Sequence, residues 1–307
     1  MEGWPRLAVD SRCIPADNEA MKFATLQLET MPALASPTLV VGLRGWGNAL
    51  EVASAMATFM VDSLEGRALG RIDSDACYRY DENRPEVRIE DGRLKSIHAS
   101  GGSFFAVKSD SDQGDLLILV ADEPSLNWQR FCKDLADLAL NVGARGLISL
   151  GSMFDSVLHT DRIISAFTTG DDYAEVFTRH EVRPINYNGP SAIHTLILDA
   201  CVKRGLPGAS LWCHCPAYLQ GIVHHGMLIQ LARVLSDMVS VSLDTQKLES
   251  LWKALEIQIQ ELIADNPKLE GIVDQIRKKK RRGAIQNRED TENKQADVIR
   301  LKDFFDP

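Results

Sequence analysis

A glycine-rich turn follows the first strongly apolar run of the chain. Gly42, Gly45 and Gly47 surround Arg44 and Asn48 where a predicted strand leads into a helix. Because backbone N–H groups at a helix N-terminus can hold an anion, Arg44, Gly45 and Asn48 form a candidate ligand site. The spacing differs from the GxGxxG of dinucleotide-binding folds and from the P-loop. Alternatively, the glycines only permit a tight turn and close packing of the helix.

Three further polar residues, Glu123, His159 and Asn188, follow other apolar runs or precede a helix. In open α/β sheets, ligands bind outside the carboxyl ends of the strands. We therefore expect these three residues to converge with Arg44 and Asn48 on an anionic or nucleoside-like ligand. The alternative roles are helix capping or loop anchoring for His159 and a turn before a helix for Asn188.

The candidate nucleophiles and bases lack a catalytic motif. Ser152, Cys215, His159 and His194 are such candidates, but the sequence has neither a GxSxG elbow nor an HExxH helix. We therefore predict no catalytic residue and no cofactor.

A cluster of metal-ligand types, Cys213, His214 and Cys215, lies shortly before His224 and His225. Closed zinc sites more often place two to four residues between paired cysteines, and the chain has no second such pair. We therefore predict no metal site and interpret the cluster as core thiols beside a hydrogen-bonded histidine.

Alternating apolar strands and amphipathic helices must position these residues. The strands are expected at residues 37–43, 115–121, 146–150 and 209–213, and the helices at residues 46–62, 125–141, 192–203 and 227–239. Ser125 is the expected N-cap of the second helix. Continuous apolar strands alternating with helices predict an α/β fold with a parallel sheet covered on both faces.

Short antiparallel strands are also expected, at residues 86–90, 93–98 and 103–108. Asp91 and Gly92 are the expected two-residue turn of a hairpin between the first two. The predicted sheet is therefore mixed, with a centrally parallel part.

The C-terminal part of the chain predicts a helical extension to the α/β domain. We expect the α/β domain over residues 20–243, a helical hairpin broken at Pro267 over 244–282, and a disordered tether over 283–307. The hairpin packs either on its own domain or on another subunit. The tether ends in an apolar tail whose Leu301, Phe304 and Phe305 are candidate partner-docking residues, or that folds back onto its own domain.

The composition narrows the class of protein. The net charge of −9 argues against a general nucleic-acid binder, although a basic run at residues 277–282 is a weaker candidate for contacting nucleic acid or an acidic partner. The six cysteines are scattered through apolar segments and are expected to be reduced. We expect a cytoplasmic protein without a membrane span, because neither a signal peptide nor an apolar run of roughly 20 residues is present.

Short pieces of the chain, taken in order, resemble the proteasome-assembly-chaperone family. The pieces are Gly42 with residues 45–48, Tyr78 with residues 84–85, residues 123–124 with Trp128, residues 150–151, residues 159–160, residues 187–190, and Pro216 with Tyr218. The resemblance implies a phosphorylase/hydrolase-like α/β fold with a C-terminal helical extension. It also implies homo-oligomers, trimers among them, and a role in assembling or contacting the proteasome. Some members end in a hydrophobic-tyrosine-any-residue motif, whereas this chain lacks that tyrosine.

Two hypotheses about function follow. The first is a non-catalytic, homo-oligomeric factor that binds an unknown protein partner and acts in assembly. The alternative is a small-molecule-binding protein or hydrolase-like enzyme that uses the carboxyl ends of the strands.

Overall fold

A computed structural model describes residues 21–29, 31–109 and 114–281. The strands are β1 (Met21–Lys22), β2 (Leu26–Leu28), β3 (Thr38–Arg44), β4 (Arg67–Ile72), β5 (Glu86–Glu90), β6 (Arg93–His98), β7 (Gly102–Val107), β8 (Leu116–Asp122), β9 (Gly146–Asp155), β10 (Ile164–Thr168), β11 (Arg183–Pro184) and β12 (Gly208–Pro216). The helices are α1 (Val52–Ser63), α2 (Ser74–Cys77), α3 (Trp128–Asn141), α4 (Ala174–Arg179), α5 (Ile193–Val202), α6 (His225–Val239), α7 (Gln246–Asp265) and α8 (Pro267–Arg281). The predicted tether and its docking residues Leu301, Phe304 and Phe305 lie outside the described residues.

Within the described ranges, ten strands form one mixed sheet in the order β1-β2-β4-β7-β8-β3-β9-β12-β10-β11. The four central strands, β8, β3, β9 and β12, pair in parallel. On one side β7 joins β8 antiparallel, and on the other β10 joins β12 antiparallel. The prediction of a mixed, centrally parallel sheet is therefore confirmed.

Helices cover both faces of this sheet because successive side chains of each central strand point to opposite faces. On one face Val40 and Ile118 pack in a core with α1, α6 and α7. On the other face Leu39 and Leu117 pack in a second core with α3 and α5. Strands buried on both faces read as continuous apolar runs, which is why these were recognisable in the sequence.

The predicted helix at residues 46–62 begins later than expected. A single 3-10 turn, Ala49–Glu51, precedes α1, and Leu50 and Glu51 adopt positive φ angles of 51° and 58°. Asn48 then holds the helix start, because its Oδ1 accepts a hydrogen bond from Ser54 N (3.1 Å) and its Nδ2 donates to Ser54 Oγ (2.9 Å).

The prediction of Ser125 as a helix N-cap is wrong. Helix α3 begins at Trp128, and Asn127 precedes it with a φ of 55°. Ser125 Oγ instead accepts a hydrogen bond from Arg79 N at 2.9 Å. The hydroxyl therefore anchors the segment after α2 and is not available to the helix.

The predicted hairpin of strands at residues 86–90 and 93–98 forms as β5 and β6. Asp91 and Gly92 adopt φ angles of 50° and 70°, which a two-residue type I′ turn requires. Within the described residues β5 and β6 pair only with each other. The third strand predicted with them, observed as β7, belongs to the main sheet between β4 and β8.

Helices α7 and α8 pack on their own chain. Leu248, Trp252, Leu255 and Ile259 are buried in the same core as α1 and α6. Pro267 is the first residue of α8, whose first turn is capped by Asn266 Oδ1 through Lys268 N (3.1 Å). None of the helices in the described part of the chain combines the length and apolarity needed to cross a membrane.

The basic end of α8 is joined to the α/β body. Lys280 contacts the Asp161 carboxylate, and Arg277 pairs with Asp274 at 3.1 Å. Part of the run at residues 277–282 therefore serves intramolecular ion pairs.

Gly42 allows β3 and α1 to approach closely, because a Cβ there would lie 2.5 Å from Ala57 Cβ and 2.7 Å from Ala53 O. We expect Gly42→Ala to lower the free energy of unfolding by about 1–3 kcal/mol through overpacking. The matched control is Gly271→Ala in α8, where a Cβ meets nothing within 4 Å. Gly271→Ala should raise the free energy of unfolding by about 0.5–1 kcal/mol, because glycine inside a helix loses more conformational freedom on folding than alanine does. Urea unfolding measures both, and a neutral Gly42→Ala would contradict the expectation.

Candidate functional site

A pocket of about 820 Å³ opens at the carboxyl ends of β3 and β8. The pocket is lined by residues from five parts of the chain: Arg44, Gly45, Trp46, Tyr78, Asn83, Ser100, Asp122, Glu123, Pro124, Ser125, Trp128, Pro190, Ser191 and Ala192. Three of the six predicted ligand-binding residues, Arg44, Gly45 and Glu123, are among them. They meet because β3 and β8 are parallel neighbours in register, with Arg44 opposite Asp122.

Glu123 joins the two strand ends. Its backbone N–H donates to Arg44 O at 2.6 Å, and its Oε2 accepts a hydrogen bond from Trp46 N at 2.7 Å. A Cβ at position 45 would lie 2.3 Å from that Oε2, so a glycine is required for this approach. The carboxylate thus occupies the anion-binding turn predicted from the glycines.

A second carboxylate, Asp122, balances the charge of Arg44. Its Oδ1 accepts from Arg44 Nε at 2.7 Å, and its Oδ2 accepts from Gly101 N at 2.9 Å. The carbonyl of Asp122 also accepts a hydrogen bond from Tyr78 Oη at 2.7 Å. The pocket therefore has two carboxylates for one guanidinium, which favours ligands that donate hydrogen bonds over anions.

Burial sets the protonation of two groups in the pocket. Burial raises the pKa of Glu123 above its usual range, while the N–H of Trp46 opposes that rise. Burial and the charge of Asp122 raise the pKa of Tyr78, so its phenol keeps its proton as a hydrogen-bond donor.

Aromatic rings border the same pocket. The Trp46 side chain lies at the rim and is 72% exposed. Trp128 lines the wall, and its Nε1 donates to the carbonyl of Pro124. Flat apolar rings beside carboxylates suit a ligand that has a planar ring and hydroxyl groups.

The other three predicted residues lie elsewhere. The Asn48 side chain is used at the start of α1, and Asn188 is exposed in the loop between β11 and α5, outside the pocket lining. His159 is buried, with its Nδ1 2.8 Å from Tyr218 Oη. Tyr218 Oη also accepts from His159 N at 2.7 Å. His159 therefore anchors its loop, in agreement with the alternative reading of this residue.

Three histidines are buried and neutral. Burial lowers the pKa of His159 to about 4, that of His194 to about 4 and that of His224 to about 3. The ring of His194 bonds Leu150 O at 3.0 Å, and the ring of His224 stacks on Trp252 at 4.9 Å. These rings serve as core groups.

The cysteine and histidine cluster at the end of β12 separates in space. Cys213 and Cys215 are buried, and burial raises the pKa of Cys215 to about 12. His214 points away from them, because its ring contacts Ser165 and Asp155 on neighbouring strands. No group of three or more His, Cys, Asp or Glu side chains in the described ranges is arranged to hold a metal ion.

Sequence reasoning missed Asp122, Tyr78 and Trp128 as pocket residues. Asp122 ends β8, one residue beyond the predicted strand. Its position at the carboxyl end of a strand could have identified it as a candidate ligand-binding residue. Tyr78 follows the four-residue helix α2, whose position beside the pocket depends on tertiary contacts.

We expect Glu123→Gln to change how stability depends on pH. A carboxyl whose pKa is raised on folding stabilises the native state less as pH rises through that pKa, since the ionised form is disfavoured. Glutamine keeps an oxygen for Trp46 N but cannot ionise. The free energy of unfolding of the unaltered chain should therefore fall relative to that of Glu123→Gln between about pH 4 and about pH 7. Urea unfolding at both pH values measures this difference. If the two proteins differed in free energy of unfolding by the same amount at both pH values, the raised pKa of Glu123 would be contradicted.

Comparison with known proteins places the chain in a family. The model of the PAC2 family matches residues 39–263. No curated protein matches the chain. The match covers well over half of the 307 residues. It extends from β3 to α7 and includes the pocket.

Solved structures share the fold. The PAC2 family protein of Streptomyces avermitilis is 25% identical with a TM-score of 0.68, and the match covers 77% of this chain and 99% of that chain. The proteasome-assembly chaperone homologue of Mycobacterium tuberculosis is 24% identical with a TM-score of 0.66, over 77% and 99%. The archaeal proteasome activator of Pyrococcus furiosus is 19% identical with a TM-score of 0.63, over 79% and 99%. With these matches and the family model together, the chain belongs to the PAC2 family.

Proposed function

We propose that this protein is a homo-oligomeric protein-binding factor that acts in the assembly of other proteins. The family supports this proposal, since relatives include a proteasome-assembly chaperone homologue and an archaeal proteasome activator. The single observation that carries it for this chain is the apolar ribbon, which we define as β5, β6 and the turn between them.

The apolar ribbon exposes four large aliphatic side chains. Val87 pairs with Ile97 and Ile89 with Leu94 across the two strands. Cross-strand partners share a face, and residues two apart on β5 share it as well, so all four lie together. Their exposed fractions are 57%, 58%, 62% and 58% in that order. Such a cluster is typical of a protein-binding surface.

The ribbon is also too small to be stable without a partner. Isolated two-stranded ribbons are marginal in water, whereas strands that gain a neighbour and an apolar contact are stabilised. Covering the four side chains contributes about 4–7 kcal/mol per ribbon by area. When several copies make the same contact, this contribution is repeated at each one and favours association of the subunits.

The charges of the ribbon favour a second copy of this chain as the occupant. β5 carries Glu86, Arg88 and Glu90, and the last two pair with each other, whereas β6 carries Arg93 and Lys95. β5 therefore has a net negative charge and β6 a net positive charge, so β5 of one copy is complementary in charge to β6 of the next. A head-to-tail contact forms a ring when the rotation between successive copies closes, and a trimer is the smallest ring of this kind.

We expect the double substitution Ile89→Ser and Leu94→Ser to dissociate the oligomer. The two residues are mostly exposed within one chain, so the fold should be retained while the contact between copies is lost. Mass in solution from light scattering should fall to that of a single chain, with an unchanged circular dichroism spectrum. His98→Ser, on the opposite face of the ribbon, is the matched control and should keep the larger mass. A single-chain mass for the unaltered protein would overturn the ring.

A second candidate function, binding of a nucleoside-like small molecule, is favoured by the pocket. Asp122 and Glu123 are acceptors suited to sugar hydroxyls, and Trp46 and Trp128 are platforms suited to a base. This reading retains the nucleoside-like part of the ligand expected from the sequence.

We expect adenosine or uridine to change the tryptophan fluorescence saturably, with a dissociation constant below about 1 mM. Glu123→Ala should weaken binding by roughly ten- to hundredfold because a charged acceptor is lost. Glu175→Gln, on the exposed helix α4, is the control and should bind like the unaltered chain. A signal that rises linearly with nucleoside, or equal affinities in all three proteins, would rule out this pocket.

A further inference from the structure

Three side chains from adjacent strands form a hydrogen-bonded chain at the carboxyl ends of β9 and β12. Asp155 lies at the end of β9, His214 near the end of β12 and Ser165 near the start of β10. His214 Nδ1 is 2.7 Å from Asp155 Oδ2, and His214 Nε2 is 2.8 Å from Ser165 Oγ. The strand registers place all three side chains on the same face of the sheet.

These contacts assign the proton on each ring nitrogen. An ionised carboxylate only accepts hydrogen bonds, so Nδ1 carries a hydrogen that it donates to Asp155. In the neutral ring, Nε2 then has a lone pair that accepts the hydroxyl hydrogen of Ser165. The other carboxylate oxygen, Oδ1, accepts from Ser156 N at 2.7 Å, which fixes the orientation of Asp155. This is the arrangement in which a histidine can remove a proton from a serine.

Two further side chains flank Ser165 on the same face. Trp212 on β12 and Arg183 on β11 are its register partners on either side. Trp212 is 7% exposed and forms an apolar wall, whereas Arg183 is exposed. A guanidinium beside the nucleophile can stabilise negative charge that develops on a carbonyl oxygen.

We propose that Ser165, His214 and Asp155 form an acyl-transfer site for small carboxylic esters, separate from the pocket beside Glu123. Ser165 Oγ attacks the ester carbonyl carbon and forms a new C–O bond while its proton passes to His214 Nε2. The resulting oxyanion lies beside Arg183. As the intermediate collapses, the bond to the alcohol oxygen breaks, and that oxygen takes the proton from His214. Water then gives a proton to His214 Nε2 and attacks the acyl carbon. The bond to Ser165 Oγ breaks, that oxygen takes the proton from His214, and the carboxylic acid is released.

The roles and the size limit follow from the geometry. Ser165 and His214 are the catalytic residues, and Asp155 is a positioning residue because it acts through the imidazole. Ser165 is 5% exposed, and the side chains of His214 and Asp155 are 12% and 23% exposed. The serine is therefore the innermost of the three, so only small acyl groups, such as acetyl, reach it.

The test is acetylation of the full chain by 4-nitrophenyl acetate at neutral pH. We expect a burst of nitrophenolate of about one equivalent per chain, as for an acyl-enzyme. Peptide mass mapping after an acid quench should locate the acetyl group on Ser165. This experiment uses the unaltered chain, so its result does not depend on whether a variant folds. Acetylation confined to lysines, with none at Ser165, would overturn the proposal.

Variants assign the roles. Ser165→Ala should abolish the burst, and His214→Gln should slow it by about 10²-fold or more. Asp155→Asn should slow it as well, with partial rescue by Asp155→Glu, which retains a carboxylate; a merely structural role would show no such rescue. Arg183→Gln should slow the burst by roughly 10²-fold if its charge stabilises the oxyanion. Ser250→Ala, at an exposed serine of α7, is the control and should react like the unaltered chain. Acetylation of Ser165 at an unchanged rate in His214→Gln would also overturn the proposal.

Discussion

The parallel pairing of β3 between β8 and β9 is the constraint on which the rest of the structure depends. Thr38–Leu43 are fully enclosed, so every backbone group of the strand must be satisfied by its two neighbours. Parallel pairing also forces each connection to cross back over the sheet, which places α1 on one face and α3 on the other. It brings the carboxyl ends of these strands to one edge, where the pocket and the hydrogen-bonded chain of Asp155, His214 and Ser165 both lie.

The elements that could be predicted from the sequence are those whose structure local chemistry dictates. The central strands were predictable because burial on both faces leaves no polar position, as in the Leu39–Val41 segment. The ribbon was predictable because Asp91 and Gly92 supply positive φ angles to a two-residue turn. In contrast, β10 and β11 were missed. β10 is a strand of five residues between β12 and β11, and β11 is an edge strand of two residues that pairs with β10. Where a strand ends is also poorly determined by pattern, and β9 extends five residues beyond its predicted end at Leu150.

The greater length of β9 explains why some of the predicted site residues meet at the pocket and others do not. Arg44 ends β3 and Glu123 directly follows β8. Because these two strands are paired in register, alignment of their ends is enough to bring the two residues together. His159 was placed by the same reasoning from a shorter β9, but the loop after Asp155 carries it to Tyr218 beside the helical layer. Asn48 was correctly placed near the turn, yet the helix start uses its amide. The hydrogen-bonded chain of Asp155, His214 and Ser165 joins residues far apart in sequence, and no local sequence motif indicates it. Only the antiparallel register of β10 on β12 brings its serine and histidine together.

The buried histidines have a consequence for how the protein responds to acid. Each imidazole is held neutral by its surroundings down to a pH of about 4 or about 3, whereas a solvated imidazole takes up a proton near pH 6.5. Between these two pH values the unfolded chain binds protons that the native chain does not bind. This proton uptake shifts the equilibrium toward the unfolded state. Stability is fully present above about pH 6.5 and declines by up to about 1.4 kcal/mol per pH unit for each such ring. The three buried rings therefore make the native state more stable at neutral pH than in acid.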